Sequence, residues 1–162
     1  MKKLFILFIF IFNFAHSNSL GLTNTDLIIL KKIKTLTDDT MMKYTLMAIA
    51  VKESSVGKSQ VNVISNDYGL FQSNIKSVLR RQNVEDNLPN RRYFAYKLLS
   101  DVGFATANAI VEIDYWKKVH NNNWVRIWAS YNAGWRYRST TGIIYANSIF
   151  DIMKKLRFEY NL

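Results

Sequence analysis

Between Asn24 and Phe158 the chain holds one proline, Pro89, and apolar residues recur in it at three- and four-residue spacing. Proline and glycine are the residues that break helices, so their scarcity commits most of the sequence to α-helix. Asn24 or Thr25 can cap a first helix carrying Leu27, Leu30 and Ile33. Asp38 or Asp39 can cap a second, through Met42, Leu46, Ile49 and Ala50 to Glu53, and its middle is apolar almost all round, which predicts a buried helix. Further helices are predicted from Ile75 to Arg81, Asn90 to Leu99, Asp101 to about Val119, Trp124 to Tyr131 and Thr141 to Phe158. Only Val61 to Gln72, after Gly57 and a Ser/Asn-rich stretch, is patterned for a short β-hairpin. With no internal repeat and no low-complexity linker, the expectation is one α-rich α+β domain with a small β-hairpin element.

The N-terminus is set apart from that domain. Lys2 and Lys3 precede an unbroken apolar run from Leu4 to Phe12, and Ala15-His16-Ser17 supplies a small-x-small cleavage pattern. This is the layout of a secretory signal peptide over residues 1–17. The run is too short for a membrane-spanning helix, which needs about 20 apolar residues. Cleavage near Ser17 or Ser19 would leave residues 18–162 as the mature domain, an uncleaved N-terminal anchor being the alternative.

The whole chain carries a formal net charge of +10, of which Lys2 and Lys3 contribute two, leaving +8 on residues 18–162. A basic exported protein is drawn to anionic surfaces such as the bacterial wall. The cations (Lys31, Lys32, Lys34, Arg80, Arg81, Arg91, Arg92, Lys154 and Lys155) are scattered over helix faces rather than gathered in a stripe, so nucleic acid is not the expected partner. There is no cysteine, hence no disulfide framework and no thiolate metal site. The two histidines include His16 within the leader, and His120 beside Asn121-Asn122-Asn123 reads as a helix-end residue. Neither a metal ligand set nor a Ser-His-Asp triad is expected.

Glu53 lies at the end of the apolar run Ala48-Ile49-Ala50-Val51-Lys52-Glu53-Ser54. A carboxyl in apolar surroundings resists ionisation and can donate a proton near neutral pH. Taken alone, the same glutamate also reads as an ordinary solvated helix terminus. The surrounding motifs favour the acid. Ser65-Asn66-Asp67-Tyr68-Gly69-Leu70-Phe71-Gln72-Ser73-Asn74 resembles the SxDxGLxQxN signature of lysozyme-like soluble lytic transglycosylases (the SLT domain family). Glu53-Ser54, 19 residues before Gln72, resembles that family's catalytic Glu-Ser pair. Ser130-Tyr131-Asn132-Ala133-Gly134 matches its YNAG element, and Tyr145 with Ile149 resembles its closing tyrosine helix. The four elements span residues 53–149 in the family's order.

The resemblance implies a goose-type-lysozyme-like fold, an exported protein of the periplasm or cell wall, and cleavage of peptidoglycan glycan strands without cofactor. It implies Glu53 as the one catalytic acid and base, with Ser65, Tyr68, Gly69, Gln72, Tyr131, Asn132 and Tyr145 binding substrate. These residue types suit a glycan: amides pair with acetamido and hydroxyl groups, aromatic faces stack on sugar rings, and Gly69 allows a close backbone approach. The bland readings are hairpin packing for Tyr68, a helix C-terminal glycine for Gly134, and a core face for Trp124 and Trp128. By family analogy, components of a secretion, conjugation, pilus or flagellar system are expected partners.

Ser65-x-Asp67-Tyr68-Gly69 also resembles c-type lysozymes, where a second catalytic carboxylate falls at the aspartate, so a hydrolase using Glu53 and Asp67 is the rival reading. The absence of cysteine and the presence of the YNAG element favour the transglycosylase, with Asp67 as a turn residue. A catalytically silent wall-binding protein on the same fold is a third reading. The chain departs from the family at Ser73-Asn74, at Thr141-Gly142 in place of an acidic-Thr pair, and at Glu112, where glycine is expected four residues after Asn108.

Overall fold

A computed structural model of the chain describes residues 19–162; the leader expected over residues 1–17 lies outside the described residues. Helix α1 (Asn24–Lys34) is capped one residue earlier than the sequence suggests: Thr23 accepts from Asp26 N, and Asp26 answers Thr23 N in a capping box. Asp39 caps α2 (Thr40–Ser54) through Met42 N, as the pattern predicts. Leu46, Met47, Ala48, Ile49 and Ala50 of α2 have no exposed surface, so this helix runs through the core rather than along it. Each large side chain there contributes about 1.5–3 kcal/mol of burial.

The β region is larger than a hairpin. Strands β1 (Val61–Asn62), β2 (Asp67–Tyr68) and β3 (Ser73–Asn74) form one antiparallel sheet in the order β1-β2-β3, with Val61 opposite Tyr68 and Tyr68 opposite Ser73. Two-residue strands carry too little alternation for the third to be read from sequence. The chain passes from β3 straight into α3 (Ile75–Arg81), because Asn74 both ends the strand and caps the helix through Lys76 N.

Helix α4 (Leu88–Ser100) starts earlier than expected, since Asn87, not Asn90, is its cap and Pro89 sits in the first turn, where a missing N–H costs nothing. Asp101 caps α5 (Val102–Val119), Asn123 caps α6 (Trp124–Ala133), and a 3-10 turn (Gly134–Arg136) leads to α7 (Thr140–Phe158), capped by Ser139. Helices α1, α5 and α7 pack on α2, with α6 against α5 and α7; α4 and α5 contact the sheet. Trp128 reaches from α6 to donate to Thr45 of α2 at 3.0 Å, and Trp124 packs beside it, so this pair forms a core face. His120 ends α5 as expected, but it is buried, with Nε2 2.7 Å from Ser130 Oγ of α6. Burial, reinforced by Arg126, holds its pKa below the ordinary histidine value. No helix among the described residues is long and apolar enough to cross a membrane.

Candidate active site

Glu53 is the last residue but one of α2, and the end of that helix is fastened to the β region by its neighbour. Buried Ser54 Oγ lies 2.9 Å from Leu70 O and 3.1 Å from Ala50 O, and it accepts from Gly57 N at 3.0 Å. The Glu-Ser pairing therefore sets the Glu53 carboxyl beside the residue that anchors the helix end. Past the helix, Ser55 and Val56 both adopt positive φ, 50° and 59°. For β-branched Val56 this is a strained conformation. Its burial at 2% exposure and the bond from its N–H to Ala50 O keep it there.

The half-buried Glu53 carboxylate accepts from the Tyr145 hydroxyl of α7 at 2.5 Å. Burial pushes the Glu53 pKa above the ordinary glutamate value; the Tyr145 bond and the Lys52 charge pull it back, and the Asp67 charge adds to the rise. Burial and then the Glu53 charge push Tyr145 far upward, so it stays a neutral phenol and a hydrogen-bond donor. A carboxyl whose ionisation is opposed by burial, held by an orienting hydroxyl, results.

Glu53 opens onto a cleft of about 700 Å³ that is also lined by Val61, Ser65, Asp67, Gln72 and Asn132. The cleft thus gathers residues from the end of α2, the sheet and the end of α6. Gln72, at φ 47°, is turned by a bond from its Nε2 to Gly69 O at 3.1 Å. Asp67 is held by Asn74 Nδ2 at 2.9 Å, and the same amide also donates to Ser65 O at 2.9 Å, tying β2, β3 and the intervening loop. Tyr131 donates its hydroxyl to Phe71 O at 3.0 Å and lines an adjoining hollow that shares Asp67 and Gln72 with the cleft. Burial raises its pKa as well, the Glu53 charge second. Among the described residues no group of three His, Asp or Glu side chains comes together.

Of the residues singled out from the sequence, Glu53, Ser65, Gln72 and Asn132 share one cleft, Tyr145 bonds Glu53, and Tyr131 lies next door. Two have other positions. Tyr68 packs against the core cluster, in keeping with its hairpin reading. At Gly69 φ is 83° and a Cβ would lie 2.4 Å from Leu98 O, so its packing against α4 already demands glycine. Gly134 caps α6. Gly142, one of the departures, has a packing reason, because a Cβ would fall 2.7 Å from Tyr137 O where α7 meets the preceding turn. Asn108 is buried and bonds Phe104 O within its own helix at 3.0 Å.

Sequence reasoning passed over Asn74 as the holder of Asp67, and it left Glu112 as an unexplained departure. Glu112 binds Arg81 and also accepts from Trp116 Nε1 at 2.8 Å. Its signal was a carboxylate amid Ile110, Val111 and Ile113, which needs a partner if it faces inward.

The chain matches no curated protein and no solved structure. The family described as Transglycosylase SLT domain matches residues 32–142, which runs from within α1 to the start of α7 and takes in Glu53, the whole sheet and the Tyr131-Asn132 element. With an α-rich fold, a small antiparallel sheet and a glutamate at the end of a buried helix, the chain belongs to the transglycosylase SLT domain family, whose activity is of the lytic-transglycosylase type on peptidoglycan.

Proposed function

We propose that this protein cleaves the β-1,4 bond between N-acetylmuramic acid and N-acetylglucosamine without water, leaving 1,6-anhydromuramic ends, with Glu53 as sole acid and base. The observation that carries the reading is the half-buried Glu53 with its raised pKa and its bond from Tyr145, opening onto a cleft edged by amides and a hydroxyl. Glu53 first gives its proton to the glycosidic oxygen as the C1–O bond breaks. The N-acetyl carbonyl of the same sugar supports the positive charge at C1. Ionised Glu53 then takes the proton of the muramic 6-hydroxyl, whose oxygen bonds to C1, and Glu53 returns to its starting form. Tyr145 steadies the carboxylate in the second half, while Gln72, Asn132 and Ser65 offer partners to acetamido and hydroxyl groups. No cofactor enters this scheme.

One observation favours a second reading. Asp67 lines the same cleft as Glu53, as a two-carboxylate hydrolase would require. A nucleophile or base must be free to turn toward the reacting carbon or its water, however, and Asp67 is tied to Asn74. Mass spectrometry of muropeptides released from purified peptidoglycan separates the two. Anhydro ends, one water lighter than reducing ends, are expected; reducing muramic ends would establish the hydrolase. Asp67→Asn is expected to keep at least a tenth of the wild-type rate, a barrier change of about 1.4 kcal/mol or less. A loss of several hundredfold would make Asp67 the second catalytic carboxylate. A gel containing peptidoglycan that wild type fails to clear would leave only the wall-binding reading.

Residues 1–17 are proposed as a cleaved leader that delivers residues 18–162 to the periplasm or wall, which N-terminal sequencing of the exported protein tests. A role in opening the wall for a secretion, conjugation, pilus or flagellar system is proposed from analogy, and co-purification with such a component is its test.

A further inference from the structure

Beyond Glu53 the groove does not end. The cleft shares Asp67 and Gln72 with a hollow of about 320 Å³, and that hollow shares Ser77, Arg81 and Glu112 with a third of about 620 Å³. Arg81 and Glu112 stand at the junction of the last two. The third hollow is also lined by Tyr115 and Trp135, aromatic side chains with 48% and 69% of their surface exposed. Trp135 is braced by an edge contact to Trp116, with ring centroids 5.2 Å apart.

The ion pair is set into the wall and does not wave from the surface, with side-chain exposures of 18% for Arg81 and 31% for Glu112. One Glu112 oxygen accepts from Arg81 Nη2 and the other from the Trp116 indole. Each Glu112 oxygen is thereby engaged, and the carboxylate acts as a bracket between the indole and the guanidinium. The guanidinium is not used up: it has five N–H donors, and among the described residues its side-chain partner is Glu112. A half-desolvated pair in a groove costs free energy to maintain, and it leaves a fixed cation with donors to spare beside a site built for a glycan.

We propose that Arg81, oriented by Glu112 and Trp116, binds a carboxylate carried by the lactyl arm of the glycan strand, and specifically one on its stem peptide, with Tyr115 and Trp135 contacting the apolar parts of the same substituent. The inference rests on the groove being a glycan cleft. Sugar rings present hydroxyl and acetamido groups and no charge, whereas the peptide residues on the lactyl arm present free carboxylates. Arginine recognises that planar anion with two parallel hydrogen bonds. The protein would then select strands that still bear peptides over stripped ones.

Equilibrium binding on a Glu53→Gln background tests this without turnover, using three probes: a peptide-bearing glycan oligomer, the same oligomer stripped to its bare lactyl carboxylates, and chitohexaose. Arg81→Gln is expected to weaken binding of the first by about tenfold or more and to leave the other two unchanged. Arg81→Lys should recover part of the loss. Glu112→Gln, which keeps an acceptor for the indole but sets an amide N–H against the guanidinium, should weaken the first probe several-fold, less than Arg81→Gln does, and leave the other two unchanged. An equal loss on stripped strands would move the contact to the lactyl carboxylate and overturn the peptide assignment. An equal loss on chitohexaose from either substitution would make the pair a structural brace. No loss on any probe removes Arg81 from recognition altogether. Should none of the probes bind the parent, the glycan cleft itself is wrong, whereas chitohexaose binding with no preference for peptides leaves the cleft standing and overturns only this inference.

Discussion

At the scale of single residues, two opposed effects act on the Glu53 carboxyl. Burial raises the Glu53 pKa and the Tyr145 hydroxyl moderates the rise. These opposed effects can be separated by substitution. Glu53→Gln should cut turnover by at least about a thousandfold, the scale of a lost general acid, while making the fold more stable at pH 7. The sign is set by linkage: the unfolded chain releases this proton at lower pH than the native protein does, so stability falls as pH rises from the unfolded towards the folded value. Glutamine has no such loss, and melting curves of the two proteins should converge below about pH 4. A wild type more stable at pH 7 would contradict the assigned burial effect. Tyr145→Phe removes the stabiliser of the ionised form, so the alkaline limb of the pH–rate profile should move upward. Its rate should drop about 10–100-fold, the equivalent of about 1.5–3 kcal/mol for a hydrogen bond to a charged group. An unmoved limb would mean that the 2.5 Å contact has no bearing on catalysis.

Among elements, the junctions count for more than the helices. The end of α2, the Leu70–Phe71 segment and α4 meet at Ser54 and Gly69, so the carboxyl, the sheet and the helix behind it are set by two small residues. Gly69→Ala would place a methyl against the Leu98 carbonyl in a backbone conformation that alanine disfavours. It is expected to cost about 2–4 kcal/mol by denaturant unfolding. A substitution that costs under about 0.5 kcal/mol would show that α4 can shift freely. The His120–Ser130 contact plays a similar part between α5 and α6, where burial keeps the imidazole neutral.

Over the whole molecule, charge is the property that no single element holds. The +8 carried by residues 18–162 should draw the protein to the anionic wall, with a range set by ionic strength. The screening length falls from about 10 Å at 0.1 M salt to about 3 Å at 1 M. Sedimentation with insoluble peptidoglycan should therefore show several-fold weaker retention at about 0.5 M than at about 0.05 M salt. Binding that ignores salt would assign retention to the cleft alone.

The helical content, the buried character of α2 and the place of Glu53 at its end were legible because each depends on residues close together in the chain: few breakers, a run apolar on every side, a cap at Asp39. Motif order, too, needs no coordinates. What the sequence could not supply was contact across distance. What packs against Gly69, whether Tyr145 reaches Glu53, and what balances Glu112 are each decided by residues roughly 30 to 90 positions away. Thr23 and Asn87 were missed as caps because several neighbouring side chains could serve, and the choice falls to whichever entry angle the packed helices allow. Local pattern made the elements; only packing between them gave a helix-end glutamate its burial, a hydroxyl beside it and a groove in front.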